Sequence, residues 1–129
     1  MKVKLTPVNA KGGPAPVGPY SDAVRCGNMI FTSGQIPIDP RSGTLVQEIR
    51  AASRQVLRNL LCVVESAGGC KESIAKVVVY LRSLNDFPVF NEEYRAFFGD
   101  HRPARVLIQA GDLAEGAMLE AAVIAYVSE

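Results

Sequence analysis

The chain has 129 residues, of which 48% are hydrophobic and 21% are charged, and its formal net charge at pH 7 is +1. This length and balance are typical of one globular domain with one core, so we expect a single domain over residues 1–129. A nearly neutral chain lacks the positive charge that nucleic-acid binders direct at phosphate, so we expect no nucleic-acid partner.

The cysteines, the single histidine and the apolar runs exclude further classes. Cys26, Cys62 and Cys70 are odd in number and irregularly spaced, which predicts no disulfide framework and favours a reducing compartment. With His101 as the one histidine, there is no Cys/His cluster with ligand spacing, so we expect no metal. The start MKVKLTPVNAKGG has lysines but no apolar core, and no apolar run reaches membrane-spanning length, so we expect neither a signal peptide nor a membrane span. We therefore expect a cytoplasmic protein with no membrane partner.

The first half of the chain predicts short strands followed by a helix. The segment KVKLT favours a short edge strand, and the Gly/Pro-rich AKGGPAPVGPYS after it is typical of a stiff loop. DAVRCGNMIFTSG predicts a hairpin, because two β-prone runs flank the turn pair Gly27-Asn28. From about Glu48 to Ala67, apolar residues recur at three- and four-residue steps, which predicts a helix that Gly68-Gly69 ends.

The second half predicts a strand, a helix and two more strands. SIAKVVVYLRS is β-branched with little alternation, which indicates a strand buried on both faces. Asp86 is the expected N-cap of a second helix with Pro88 in its first turn. Aromatic residues form the apolar stripe of that helix: Phe87, Phe90, Tyr94, Phe97 and Phe98. ARVLIQA and MLEAAVIAYV predict the last two strands.

This order of elements predicts an α+β fold in which two helices cover one face of a five- or six-stranded sheet. The other face is also apolar, since VVVY and AAVIAYV contain few polar positions. A monomer would expose that face to water at a cost of about 25 cal/mol per Å² of apolar area. We therefore expect an oligomer that buries sheet against sheet.

Two charged residues interrupt the last two strands. Arg105 could extend to solvent or pair with a carboxylate, or its planar guanidinium could bind a ligand carboxylate or phosphate. Glu120 is costly inside an apolar strand unless it is paired or hydrogen-bonded. If the two strands form a hairpin around residues 111–116, Arg105, Leu107 and Glu120 share one face, and a one-residue slip would separate them. Glu120 is then either a structural partner of Arg105 or a functional carboxylate.

Four more residues are candidates, each with a structural alternative. Asn91 lies on or beside the aromatic stripe and is either a buried amide satisfied by backbone or a ligand contact. Tyr20 lies on the stiff loop and either packs on the domain or lines a site. Ser33 and Gly34 end a strand, where both could serve a turn, or Gly34 could let the backbone approach a ligand closely.

Several segments, in this order, resemble the RidA family, also called the YjgF family: GPYSDAV, IFTSGQIPIDPRSG, NDFPVFNEEYRAFF, RPAR and LEAAVIA. The resemblance covers the chain from Pro14 to the end. It implies a chorismate-mutase-like fold, with a mixed sheet and two helices on one face, and a homotrimer with clefts between subunits. The archetypal members are 2-iminobutanoate/2-iminopropanoate deaminases, which hydrolyse enamine and imine products of pyridoxal-phosphate dehydratases, 2-aminoacrylate among them, to 2-keto acids and ammonia without metal or cofactor.

Carried over to this chain, the resemblance implies that Arg105 holds the substrate carboxylate and that Glu120 orients the attacking water. The other residues of the cleft would be Tyr20 (from a neighbouring subunit), Ser33, Gly34, Asn91 and, through its backbone, Leu107. Leu107 stands where many members have cysteine, and Arg102 stands where an aromatic residue often precedes PAR.

We therefore predict a homotrimeric imine/enamine deaminase that acts on a small imino acid. One alternative is a trimer on the same fold that binds carboxylates without catalysis. The other is an RNA-directed activity, as endoribonuclease or translation inhibitor.

Overall fold

Strands and helices follow one another in the predicted order in a computed structural model that describes residues 4–128. The elements are β1 Leu5–Val8, β2 Ala23–Cys26, β3 Met29–Thr32, α1 Ile49–Ser66, β4 Ile74–Leu81, α2 Phe87–Phe98, β5 Ala104–Gln109 and β6 Leu119–Tyr126. The β2–β3 hairpin turns at Gly27, whose φ of 59° lies in the region that glycine adopts without strain. The hairpin is confirmed. The predicted edge strand over residues 2–6 is confirmed at Leu5 and Thr6 and extends to Val8, and its first two residues lie outside the described part of the chain.

The strands form one mixed sheet in the order β1-β2-β3-β6-β4-β5. Among the strands of residues 4–128, β4 and β5 alone run parallel, and α2 connects them, because parallel neighbours need a crossover rather than a tight turn. The last strand of the chain, β6, lies in the interior of the sheet between β3 and β4. The α+β class with a mixed sheet and two helices is therefore confirmed.

The hairpin considered for the last two strands is wrong. Strand β4 lies between them and pairs Val77 with Arg105 on one side and Tyr80 with Glu120 on the other. Paired residues point to the same face of a sheet, and successive residues alternate. Arg105 therefore faces the helices with buried Val77, whereas Glu120 points with Tyr80 to the opposite face. Because β4 is long and apolar, it buries more surface in the interior of the sheet than at its edge. Its position between β5 and β6 separates Arg105 from Glu120.

Helix α1 has the predicted bounds and packs on the sheet. The Glu48 carboxylate accepts hydrogen bonds from the backbone N–H groups of Arg50 and Ala51, which satisfies two of the free donors of the first turn. Its buried face joins the core under β6 and β3. Neither α1 nor any other helix among residues 4–128 is long and apolar enough to cross a membrane.

Helix α2 begins where predicted, but Asp86 does not cap it with its side chain. Asp86 instead ends a short 3₁₀ turn, in which the Ser83 hydroxyl accepts a hydrogen bond from the Asn85 N–H. The aromatic stripe of α2 is confirmed as a core element, with Phe90 fully buried. Glu93 accepts hydrogen bonds from Arg50 and Arg54 of α1, so the two helices are joined side by side on the sheet.

The sheet face opposite the helices, called here the open face, is apolar and accessible. It carries Phe31, Val106, Ile108 and Tyr126, which are 43–49% exposed. Strand β4 alternates between this face and the buried core, so one chain buries only one side of it. The predicted burial of β4 on both faces therefore needs a partner for the open face.

Candidate active site

The Arg105 side chain lies against α2. Its Nη1 donates a hydrogen bond of 2.9 Å to Asn91 Oδ1, and its guanidinium carbon lies 4.7 Å from the centroid of the Tyr94 ring. Packing on an aromatic ring and one amide contact orient the planar guanidinium. Among residues 4–128 no carboxylate pairs with Arg105. A structural pair of Arg105 with a carboxylate of the same chain is therefore not found among the described residues, and the remaining guanidinium nitrogens can bind a ligand anion.

Asn91 is explained by the same contact. The alternative of a buried amide satisfied by backbone is wrong, because its Oδ1 accepts from Arg105 and the residue is only half-buried. Asn91 lies one turn after Phe87 on α2, so its amide reaches the start of β5. Leu107 points to the same side of β5 as Arg105 and packs against the core.

A pocket of about 250 Å³, called here the arginine pocket, opens beside Arg105. Its walls come from α2 and from the segment before β5: Asn91, Tyr94, Arg95, Arg102, Pro103 and Arg105. From the sequence, Tyr94 is expected in the core stripe alone, and Arg95 is not among the predicted site residues. The i, i+4 spacing of Asn91 and Arg95 on α2 is the signal that could have identified that residue.

Glu120 lies in a second pocket, called here the glutamate pocket, of about 360 Å³. It is lined by Val17, Tyr20, Ser33, Gly34, Ala114 and Glu120, so the structure brings four predicted residues together in one chain. Within residues 4–128 the Glu120 carboxylate has no cationic partner. Burial raises the pKa of Glu120 above the usual carboxyl value of 4.5. A carboxylate in this state is suited to accept and return a proton.

The Glu120 side chain occupies the space that a side chain at position 34 would need, which explains the glycine there. A Cβ atom at Gly34 would lie 2.8 Å from Glu120 Cδ and 3.0 Å from its Cγ, closer than carbon atoms pack. The backbone of the next residue, Gln35, pairs with Ala121 through hydrogen bonds of 2.8 and 3.1 Å, which holds Gly34 against β6. Gly34 is not among the glycines with positive φ, so close approach, and not a turn, explains the residue.

Ser33 and Tyr20 hold the shape of the glutamate pocket. The Ser33 hydroxyl donates to the Ser21 carbonyl at 2.7 Å, and the Ser33 N–H donates to the Asp22 carbonyl at 2.9 Å. Both contacts tie the stiff loop to the end of β3. The Tyr20 ring folds over Gly18 and remains 43% exposed.

The candidate residues therefore form two groups in one chain. One group, around Arg105, faces the helices, and its described residues offer cationic groups but no carboxylate. The other group, around Glu120, faces the open side of the sheet, and its described residues offer a carboxylate but no cationic group. A reaction with water at the reactive carbon of a small carboxylic acid needs a cationic group that binds the carboxylate and a base that activates the water. One chain holds these two groups on opposite faces of the sheet.

Comparison with known proteins identifies the family. The family described as Endoribonuclease L-PSP matches residues 11–127. A RutC family protein of Pyrococcus horikoshii is 43% identical over 117 residues, which cover 90% of this chain and 93% of that protein. An Escherichia coli protein named 2-iminobutanoate/2-iminopropanoate deaminase is 39% identical over 121 residues, covering 92% and 94%.

The fold agrees with these relatives. The crystal structure of Escherichia coli TdcF with bound serine superposes with a TM-score of 0.91 at 35% identity, over 95% of this chain and 99% of that one. Sequence and fold thus agree over nearly the whole length of the chain, which belongs to the Endoribonuclease L-PSP family, the family also known as RidA/YjgF.

Proposed function

We propose that this chain is a deaminase that hydrolyses small imino acids, such as 2-iminobutanoate and 2-iminopropanoate, and their enamine forms. The observation that carries the proposal is the complementary composition of the two pockets. Among the described residues, Arg105 is an oriented guanidinium without a carboxylate partner, and Glu120 is a half-buried carboxylate without a cationic partner. Similarity to relatives that are named deaminases supports the same reaction.

We further propose that the two pockets meet between subunits of a homotrimer. Within one chain they open on opposite faces of the sheet, so one substrate can touch both only across a subunit boundary. A head-to-tail contact that closes into a ring places the arginine pocket of each subunit beside the glutamate pocket of the next. The same assembly covers the open face, with the exposed apolar side chains of β5 and β6.

The proposed mechanism needs an anchor, a placed water and a base. The two free guanidinium nitrogens of Arg105 bind the substrate carboxylate, which fixes the neighbouring C=N carbon. Glu120 takes a proton from water as the water oxygen bonds to that carbon. The C–N bond then breaks, and nitrogen leaves as ammonia with both protons of the water, one of them returned by Glu120. The products are one 2-keto acid and one ammonia, and Glu120 is regenerated as a carboxylate.

A coupled assay tests the reaction. A threonine dehydratase releases the imine, and semicarbazide competes with hydrolysis by trapping the free imine. We expect the protein to raise the rate of 2-oxobutanoate formation and to lower semicarbazone formation. If 2-oxobutanoate binds but the rates equal those without protein, the chain is a carboxylate binder and not a deaminase.

We expect Ile108→Asp to disrupt the trimer. Ile108 is 48% exposed on the open face, and a carboxylate buried there without a partner would be strongly unfavourable. Sedimentation at micromolar concentration should give a trimer for the parent chain and a monomer for the variant. Leu84→Asp is the control, since Leu84 is 50% exposed but lies in the turn before α2. A monomeric parent, or a trimeric Ile108→Asp variant, would contradict the assembly.

We expect Gly34→Ala to lower kcat/KM for imine hydrolysis about tenfold or more, because the new methyl group must displace the Glu120 side chain. The displaced atoms belong to a flexible side chain and not to backbone, so the fold should persist. Gly111→Ala is the matched control, since nothing lies within 4 Å of a Cβ atom placed there. Equal kcat/KM for Gly34→Ala and Gly111→Ala would show that catalysis does not depend on the present position of the Glu120 side chain.

A further inference from the structure

The arginine pocket holds more positive charge than one carboxylate requires. Arg95 and Arg102 line it beside Arg105, and no acidic side chain from the described residues 4–128 lines it. Neither Arg95 nor Arg102 forms an ion pair with any residue in the range 4–128. Arg102 uses Nη1 for the carbonyl groups of its own loop, at Gly99 and His101. Its Nε and Nη2 atoms have no acceptor in the described part of the chain.

Tyr94 supplies a second, independent sign of a ligand in this pocket. Its side chain is 9% exposed, and its hydroxyl is closed to water and has no hydrogen-bond partner among residues 4–128. A buried hydroxyl without a partner is unfavourable, and Tyr94 lines the arginine pocket, so a small rearrangement that brings a ligand acceptor to this hydroxyl is favourable. Burial raises the pKa of Tyr94, while Arg105 and Arg102 act in the opposite direction. The hydroxyl thus remains a donor with two cationic groups nearby.

The cationic groups approach the arginine pocket from different elements. Arg105 is hydrogen-bonded to Asn91, and the backbone of Arg95 lies one helical turn beyond that of Asn91, a rise of about 6 Å along the axis of α2. Arg102 precedes Arg105 by three residues and approaches the pocket from the loop before β5. Three cationic side chains on one pocket can bind both carboxylates of a short dicarboxylic acid, one at Arg105 and the other at Arg95 and Arg102.

We propose that Arg95 and Arg102 bind a second carboxylate, so that the preferred substrates are imines of four- or five-carbon dicarboxylic acids. The proposal rests on the proposed deaminase function and adds to it a preference for imines with a second carboxylate over the monocarboxylic imines named above. Water adds to the imine carbon, the C–N bond breaks, and the products are a 2-oxo dicarboxylate and ammonia. The second carboxylate takes no part in the bond changes and acts only in binding and orientation.

Binding of stable product analogues tests the pocket apart from catalysis. Calorimetry compares 2-oxoglutarate with 2-oxobutanoate on the parent chain, on the double variant Arg95→Gln/Arg102→Gln and on Arg58→Gln. The control removes one exposed arginine of α1 that lies outside the arginine pocket. We expect the parent and the control to bind 2-oxoglutarate at least tenfold more tightly than 2-oxobutanoate, and the double variant to lose that preference.

The corresponding imines, generated in situ by an amino-acid oxidase, allow the same comparison by kinetics. We expect the ratio of kcat/KM for the dicarboxylic imine to kcat/KM for the monocarboxylic imine to be high in the parent chain and the control and to fall in the double variant. The proposal is overturned if the parent chain and the double variant show the same ratio of affinities. If the binding preference depends on the two arginines but no imine is hydrolysed faster than in buffer, the pocket assignment stands and the deaminase function fails. If monocarboxylic imines are hydrolysed without an arginine-dependent preference, the function stands and the second subsite fails.

Discussion

Arg105→Ala is expected to lower kcat/KM for imine hydrolysis by about a hundredfold or more. Charged hydrogen bonds contribute about 1.5–3 kcal/mol each, and about 1.36 kcal/mol corresponds to a tenfold change in rate. Removing the anchor also leaves the C=N carbon free to move away from the attacking water. Steady-state kinetics in the dehydratase-coupled assay measure the loss directly.

The fold should survive this change. The protein partner of Arg105 is the neutral Asn91 amide, so Arg105→Ala leaves no buried carboxylate without its cation. Arg105→Lys keeps the charge but loses the planar pair of donors, so it should recover little activity. Arg58→Ala, on the exposed side of α1, controls for loss of an arginine elsewhere. Near-normal activity of Arg105→Ala would remove the anchor from the mechanism.

Glu120→Gln should slow turnover about a hundredfold while leaving the fold at least as stable. General base catalysis contributes about a hundredfold or more, and glutamine keeps the size of the side chain but cannot take the proton. At neutral pH the substitution also removes a half-buried negative charge that burial disfavours. A large drop in Tm with normal specific activity of the remaining folded protein would assign Glu120 a structural role instead.

The pH dependence follows from the raised pKa of Glu120. The active form is the carboxylate, so kcat/KM should fall as pH falls through the folded-state pKa, which lies above the usual value of 4.5. The pH dependence of stability has the opposite sign, because the Glu120 carboxyl group binds its proton more tightly in the folded state than in the unfolded state. This contribution to stability is present in full below the unfolded pKa and is lost as pH rises through the folded pKa. Glu120→Gln should abolish both trends in pH titrations of activity and unfolding.

The helices and strands of this fold could be predicted because the sequence pattern that indicates each of them lies within one short segment of the chain. The three- and four-residue spacing of α1, the Gly27-Asn28 turn and the aromatic stripe of α2 each lie within one element. The strand order could not be predicted in this way. Whether β4 or β6 neighbours β5 depends on contacts between residues far apart in the chain, and the side-chain direction of Glu120 relative to Arg105 depends on that order.

The site residues could be named from the sequence, but their grouping could not. Arg105 and Glu120 were recognisable as charges in apolar strands, whereas their separation into two pockets follows from the position of β4 between them. The contact of Asn91 with Arg105 required the crossover of α2 from β4 to β5. Tyr94 fits the aromatic stripe by its spacing, and its unpartnered hydroxyl is visible only in three dimensions.

Complementation between two inactive variants tests most directly whether each active site joins two subunits. Co-expression of Arg105→Ala and Glu120→Gln chains gives mixed trimers in which some sites combine the intact Arg105 of one chain with the intact Glu120 of its neighbour. With random mixing in a closed ring, about a quarter of the sites should be intact, so activity should recover to about that fraction of the parent value. Mixed trimers, verified by two different affinity tags, that are no more active than either variant alone would contradict a site shared between subunits.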